Sequence, residues 1–255
     1  MKRARRRARR RVVAVIGGTR GIGRAVAGLF HEQGDAVAVC SRSPRDRALP
    51  KELLHQQVDV RHREEAQRFI QTILDAWGRL DVLVNCAGVS GWRAVEALNE
   101  IFIEEIVGTS VLGTLWGCAA AAPVLSGGGC IVNISSLAGK RGSANNSAYC
   151  AAKFAVNGIT QALAKELGPR GIRVNAVCPV YVETAQLREA LSVPASPARG
   201  QQVKKYLATF AATQTALGRL PTAQEVAQAV WFLASPAASA ITGQCLNVDC
   251  GTLPQ

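Results

Sequence analysis

A turn of glycines set between an apolar run and a helix constrains this chain more than any other feature. Val12-Val13-Ala14-Val15-Ile16 is the short continuous apolar run that a parallel strand covered on both faces requires. Gly17-Gly18-Thr19-Arg20-Gly21-Ile22-Gly23 follows, and a helical stretch then runs to about Gln33, where Gly34 stops it. Glycines at such a junction allow a tight turn and close approach of backbone to a pyrophosphate at the helix N-terminus. A glycine triplet alone is a weak motif, and a plain strand-to-helix turn uses the same residue. The position between strand and helix gives this one its weight.

The rest of the chain keeps alternating. Ala36 to Cys40 reads as a second strand, Val58-Asp59-Val60 as the end of a third, and Glu64 to Trp77 as a helix. Val82-Leu83-Val84 is a fourth strand running into Asn85-Cys86-Ala87-Gly88, and a long helix is expected from about Ile103 to Leu125. Cys130 to Ile134, Arg173 to Val177 and Cys245 to Val248 read as strands; Tyr149 to Leu167 and Glu225 to Leu233 read as helices. Residues 185–220, with Pro194, Pro197 and Gly218, look like an inserted mobile segment on the substrate side. Strict alternation predicts the α/β class: a single doubly wound parallel sheet of about seven strands with helices on both faces. One domain is expected over 12–255, preceded by a basic tail over 1–11.

The net charge of +12 belongs largely to that tail. Lys2, Arg3, Arg5, Arg6, Arg7, Arg9, Arg10 and Arg11 supply +8, leaving +4 for the remainder. Such a run would suit a polyanion, but a solvated leader before the first strand explains it without a nucleic-acid partner, and we adopt that reading. The eight cysteines are scattered, with neither Cys-x-x-Cys nor zinc spacing. They read as thiols of a reducing, cytoplasmic compartment, with no metal site. The best candidate membrane stretch, 111–124, is short and broken by Gly113, Thr114, Gly117 and Pro123, so no membrane span is expected.

Two further places carry chemistry. Where an NAD-binding domain would place an acid at the end of strand two, this chain has Ser41 and Arg42, and Arg20 stands in the glycine turn. Two arginines and no acid favour a 2′-phosphate, hence NADP(H). Tyr149 and Lys153 are four apart on a helix and therefore share a face. An ammonium beside a phenol favours the phenolate, and the pair is expected to bring the tyrosine toward neutral pKa as a proton donor and acceptor.

The glycine turn, Asn85-Cys86-Ala87-Gly88, Ser136 thirteen residues before Tyr149, and Tyr149-x-x-x-Lys153 stand in one order over 12–251. Together they resemble the short-chain dehydrogenases/reductases. Gly139-Lys140-Arg141-Gly142 and Val174-Asn175-Ala176-Val177-Cys178-Pro179 bring the NADPH-dependent carbonyl reductases and 3-oxoacyl or polyketide ketoreductases nearest. The resemblance implies a Rossmann-type enzyme, usually a homotetramer. Tyr149 would be the general acid, Ser136 would hold the substrate carbonyl oxygen, and Lys153 would bind the nicotinamide ribose. Gly17, Thr19, Arg20, Gly21, Ile22 and Gly23 would line the pyrophosphate, Asp59 and Val60 the adenine. Asn85, Ala87 and Gly88 would flank the ribose, with Pro179, Val182 and Thr184 against the carboxamide. A strand-end acid at Asp59 and a capping serine at Ser136 are the plain structural alternatives.

The chain departs from the family pattern at Ile16, Val180 and Cys250, where Thr, Gly and Gly are usual. Ser110 stands where the family has an Asn whose backbone carbonyl holds a water of the proton relay. A serine retains a carbonyl but lacks the amide contacts that fix the local kink, so retuned activity is expected. The leading function is reduction of a ketone, free or carrier-bound, by NADPH. An alcohol or polyol dehydrogenase working oxidatively is the second reading, and a non-catalytic nucleotide-binding scaffold with a polyanion-binding tail the third. Pocket walls are expected from Ser90 to Arg93, Lys140 to Ala144 and the 185–220 segment, with Trp92 and Tyr181 shaping them. Arg170 is read as an exposed loop arginine, with an acyl-carrier contact as the sharper alternative.

Overall fold

A computed structural model of the chain describes residues 10–254. Seven strands form one all-parallel sheet: β1 (Val12–Ile16), β2 (Ala36–Ser41), β3 (Leu54–Gln57), β4 (Leu80–Asn85), β5 (Leu125–Ile134), β6 (Arg173–Pro179) and β7 (Cys245–Val248), in the order β3-β2-β1-β4-β5-β6-β7. Every residue of β1 is buried, as its unbroken apolar run demands of a central strand. Val13 and Val15 pack on one face with Val26 and Phe30 of α1 (Gly21–Glu32) and Val226 and Val230 of α8 (Ala223–Leu233). Val12, Ala14 and Ile16 pack on the other with Phe69 and Ile73 of α2 (Arg63–Trp77), and with α4 (Gly113–Ala121) and α5 (Ser147–Leu167). This is the doubly wound Rossmann-type architecture.

Because the chain winds outward from β1 in one direction and from β4 in the other, a crevice opens at the carboxyl ends of these two strands. Beneath it, a buried polar ladder ties β4, β5 and α5 together. Asn85 Nδ2 donates to Asn133 Oδ1 at 2.9 Å, and Asn133 Nδ2 donates to Thr160 Oγ1 at 2.9 Å.

Several elements depart from the sequence expectation. The third strand is Leu54–Gln57, and Val58-Asp59-Val60 lies beyond it in the loop to α2. As an edge strand with half-exposed His and Gln, β3 carries no apolar run to announce it. The single helix expected over 103–125 is α3 (Glu100–Val107), a π-type turn over Gly108–Leu112, and α4; Leu125 already opens β5. Taken as one helical path, Glu100–Ala121 has 22 residues and a mean hydropathy of 1.3 over an 18-residue window, enough to cross a membrane by length and composition alone. Here Cys118 and Ala121 cover the sheet beside α2, while Glu100, Glu104 and Glu105 lie on the same path. The segment expected to be mobile holds α6 (Ala185–Leu191) and α7 (Val203–Gln214), where Leu191 and Leu207 are buried with Trp92.

The expected tail boundary also moves. Arg11 belongs to the fold: its guanidinium pairs with Asp35 at 2.6 Å, donates to Ala234 O at 3.0 Å and lies over the Phe30 ring. Arg10 is exposed, and the rest of the basic run, 1–9, lies outside the described residues.

Cys250, one of the departures noted above, adopts φ 53, in the left-handed region where a Cβ is crowded. Replacing it by Gly removes that strain at some cost in unfolded-chain entropy. Cys250→Gly should therefore raise unfolding free energy by roughly 0.5–1 kcal/mol, read as a higher denaturant midpoint at unchanged slope.

Candidate active site

The crevice is a cleft of about 890 Å³. The glycine turn supplies one wall: Gly17, Thr19, Arg20, Gly21, Ile22 and Gly23 all line it. A Cβ on Gly17 would sit 2.7 Å from Ala87 N, and one on Gly23 would land on the carbonyl oxygen of Gly17. Only glycine lets the turn, the loop after β4 and the first turn of α1 meet this closely. Arg20 N-caps α1 without a side-chain cap, which leaves the first-turn N–H groups facing an anion site. The opposite wall comes from Ala87 and Gly88 after β4, Ser135 to Ala138 after β5, Pro179 at the end of β6 and Val182 beyond it. Thr184 also lines it while capping α6, its Oγ1 accepting from Leu187 N at 3.2 Å.

Tyr149 and Lys153 face this cleft from the first two turns of α5, with Lys153 Nζ 5.7 Å from the Tyr149 ring centroid. The ammonium is buried and donates to Ile134 O at 2.8 Å. Ser136 caps the short 3₁₀ turn Leu137–Gly139 by accepting from Ala138 N at 3.1 Å. The capping alternative and the substrate-facing one are therefore compatible, since accepting the cap leaves the hydroxyl proton for the cleft; its contact with Pro179 O is long, at 3.5 Å. That turn lies directly on α5: a Cβ at Gly139 would be 2.6 Å from Lys153 O, and Ser135 Oγ donates to the same carbonyl at 3.2 Å.

Burial overturns the expected acidity of Tyr149. Enclosure raises its phenol to about 12, and the neighbouring Ser136 hydroxyl pulls it back only in part. The same enclosure lowers Lys153 to about 8, against a smaller upward pull from Cys86 and Cys178. Desolvation penalises both charged forms and is the largest cause of each shift. The pair rests as a neutral phenol beside an ammonium with a weakened hold on its proton.

The adenine end differs from expectation in another way. Ser41 and Arg42 line the cleft, Ser41 Oγ donating to Ser43 O at 3.0 Å. The site is not free of acid, however. Glu105 of α3 lines the same rim and pairs with Arg42 at 2.7 Å and Arg61 at 2.9 Å. Arg61 also forks onto Asp59, with contacts of 2.6 and 3.0 Å, which holds that carboxyl below the usual carboxylate range. Asp59 is thus committed to Arg61 and does not line the cleft, whereas Val60 does. Nothing in the local sequence around Glu105 marks it, because its partners come from far away in the chain, Arg42 just after β2 and Arg61 in the loop before α2.

Two other expected residues lie behind the surface. Asn85 is buried in the ladder to Asn133 and braces the floor. Ser110 is fully buried in the π-type turn; its carbonyl accepts from Thr114 Oγ1 at 2.7 Å, and its own hydroxyl has no partner among the described residues. A Cβ on Gly88 would sit 3.4 Å from Lys153 Nζ and 3.7 Å from Ser110 Oγ, so these two groups flank the same glycine. At the other end of the cleft, Tyr181 stacks edge-on with Phe210 at 4.8 Å and tilts toward Trp92 at 6.4 Å. Phe210, unremarked in the sequence, therefore joins Trp92 and Tyr181 on the wall. Arg170 is exposed at the amino end of β6, away from the cleft, where it donates to Ala122 O.

The glycine cradle, the free first-turn amides and the guanidinium rim fit a dinucleotide with its pyrophosphate on α1. Residues 16–252 match a family model described as enoyl-(acyl carrier protein) reductase. A protein of Streptomyces virginiae assigned as the ketoacyl reductase of a monensin polyketide synthase is 38% identical, over 95% of this chain and 97% of that one. Carbonyl reductase family member 4 of Danio rerio is 36% identical, over 94% and 97%. The ligand-free aldohexose dehydrogenase of Thermoplasma acidophilum superposes with a TM-score of 0.87 at 34% identity, covering 97% of this chain and 98% of that one.

The pKa directions give a measurement independent of turnover. An ultraviolet difference titration of wild type against Tyr149→Phe should show no phenolate from this ring until well above the ordinary tyrosine value of about 10. Ionisation of the ring near neutrality would restore the simple charge-pair picture.

Proposed function

The chain belongs to the short-chain dehydrogenase/reductase family, and on that premise we propose that it reduces a ketone carbonyl with NADPH as hydride donor. The observation that carries this reading is the convergence on one cleft of the Tyr149 phenol, the Lys153 side chain beside it and a Ser136 hydroxyl whose proton is uncommitted to the cap. NADPH would be held by the glycine turn, Arg20 and Arg42, and Lys153 would meet its nicotinamide ribose; when bound it supplies the hydride.

The chain's own residues then handle the oxygen. As the carbonyl carbon is reduced, negative charge gathers on its oxygen. Ser136 donates its O–H to that oxygen and Tyr149 passes its proton, so the alkoxide leaves as an alcohol. The phenolate left behind is unfavourable in this enclosure, and the nearby Lys153 ammonium offsets part of that cost. The reductive direction is supported by relatives assigned as ketoacyl and carbonyl reductases. A ketone carried as an acyl thioester is within this reading, given relatives assigned as ketoacyl reductases.

Three outcomes test it. With a panel of β-keto esters and quinones, Tyr149→Phe should lower NADPH consumption by about 10²–10⁴-fold while NADPH still binds. For the wild type, kcat/KM for reduction should hold below pH 8 and fall above it, because Lys153 loses its charge at about 8 while Tyr149 stays protonated to about 12. A rate that rises through that window would give the tyrosine the opposite role. Arg42→Asp should move cofactor preference toward NADH, and an unchanged ratio of kcat/KM values for the two cofactors would refute the NADPH assignment.

A further inference from the structure

The rim at the end of β2 is an ion-pair cluster, and its arrangement bears on how this chain chooses its cofactor. Glu105 bridges two guanidinium groups, Arg42 through Oε1 at 2.7 Å and Arg61 through Oε2 at 2.9 Å. Arg61 is independently saturated by its fork on Asp59. Arg42 has no ion-pair partner other than Glu105 among the described residues. The cluster of Arg42, Arg61, Asp59 and Glu105 therefore sums to zero charge, and Arg42 is already occupied. Its side chain and that of Glu105 are 40% and 27% exposed, so the pair is open to exchange with a ligand.

We propose that Glu105 is a specificity-determining residue which competes with the cofactor's 2′-phosphate for Arg42 and so limits preference for NADP(H) over NAD(H). The inference rests on the reading of Arg42 as the 2′-phosphate partner. A phosphate dianion approaching Arg42 meets a carboxylate that already holds the guanidinium and repels the newcomer. NADP(H) must displace Glu105 to gain its own bidentate contact. A 2′-hydroxyl asks for no such displacement and has a proton to give a carboxylate. Glu105, arriving from α3, thus supplies the acid that strand two lacks at its own end. Loss of the carboxylate frees Arg42 and leaves Arg61 on Asp59.

Calorimetric titration of the full chain with NADP⁺ and with NAD⁺ tests this without turnover. Glu105→Gln should tighten NADP⁺ by about two- to fivefold, the worth of one exposed pair, and should leave NAD⁺ unchanged or weaker. Glu105→Ala should act in the same direction. Neither substitution should tighten NADP⁺ in an Arg42→Ala background, and the gain should shrink as salt screens the rim. A ratio of NADP⁺ to NAD⁺ affinity that stays at the wild-type value in both Glu105 variants, while Arg42→Ala lowers it, overturns the role of Glu105 and leaves the cofactor reading standing. A ratio unmoved by Arg42→Ala overturns the cofactor reading itself.

Discussion

Between the carbonyl oxygen of Gly17 and the α-carbon of Gly23 there is no room for a methyl group, and between Gly17 and the backbone of Ala87 there is hardly more. This three-way approach of backbone fixes where β1 ends, where α1 begins and how near the loop after β4 can come. Gly17 adopts φ 79 and Gly21 φ 53, so the same glycines provide the left-handed conformations that the turn needs. The amides of α1 and the loop after β4 face each other across the cleft only because this crossing is tight. Everything the site does presupposes it.

Within the cleft, solvation decides more than charge does. A phenol and an ammonium four residues apart invite an account in which the cation acidifies the tyrosine. The enclosure that brings them together also strips both of water, and desolvation moves their pKa values apart, each group toward its own neutral form. The rim at β2 shows the reverse balance: its arginines and acids remain part-exposed, keep their charges and pair with one another. At one end of the cleft burial weakens the charged forms, and at the other the charges persist and compensate one another.

Much of the fold was readable because its central strands are short, pure apolar runs. β1, β2, β4 and β6 fall close to where their valines and alanines place them, and α5 ends at Gly168 as its punctuation implies. Misreadings fall where local pattern and tertiary role part company. Leu54-His-Gln-Gln is an edge strand with no apolar alternation, and Leu125-Ser-Gly-Gly-Gly begins a strand with residues that usually end one. The π-type turn at Gly108–Leu112 is silent in a helical periodicity that continues on either side of it. Pro194 and Pro197 suggested a loose segment, although Leu191 and Leu207 anchor it on Trp92. Tyr149, Ser136 and Lys153 do converge on one cleft, as their order in the chain suggested; Asp59, Asn85 and Ser110 sit behind its walls. Glu105 was beyond reach of any local pattern, since its significance lies in two guanidiniums brought to it by the distant segments after β2 and before α2.

The clasp made by Arg11 has a bearing on how the molecule comes into being. The guanidinium at the entrance to the first strand is seated on Ala234, just past the final helix, and Arg173 reaches Leu233 and Ser235 from the sixth strand. A ribosome delivers one side of that clasp 223 residues before the other. Until then the side of the sheet shared by α1 and α8 lacks half its cover, leaving Val13, Val15, Val82 and Val132 with apolar surface still to bury. Nascent polypeptide must wait, partly unsealed, for its closing helix to emerge.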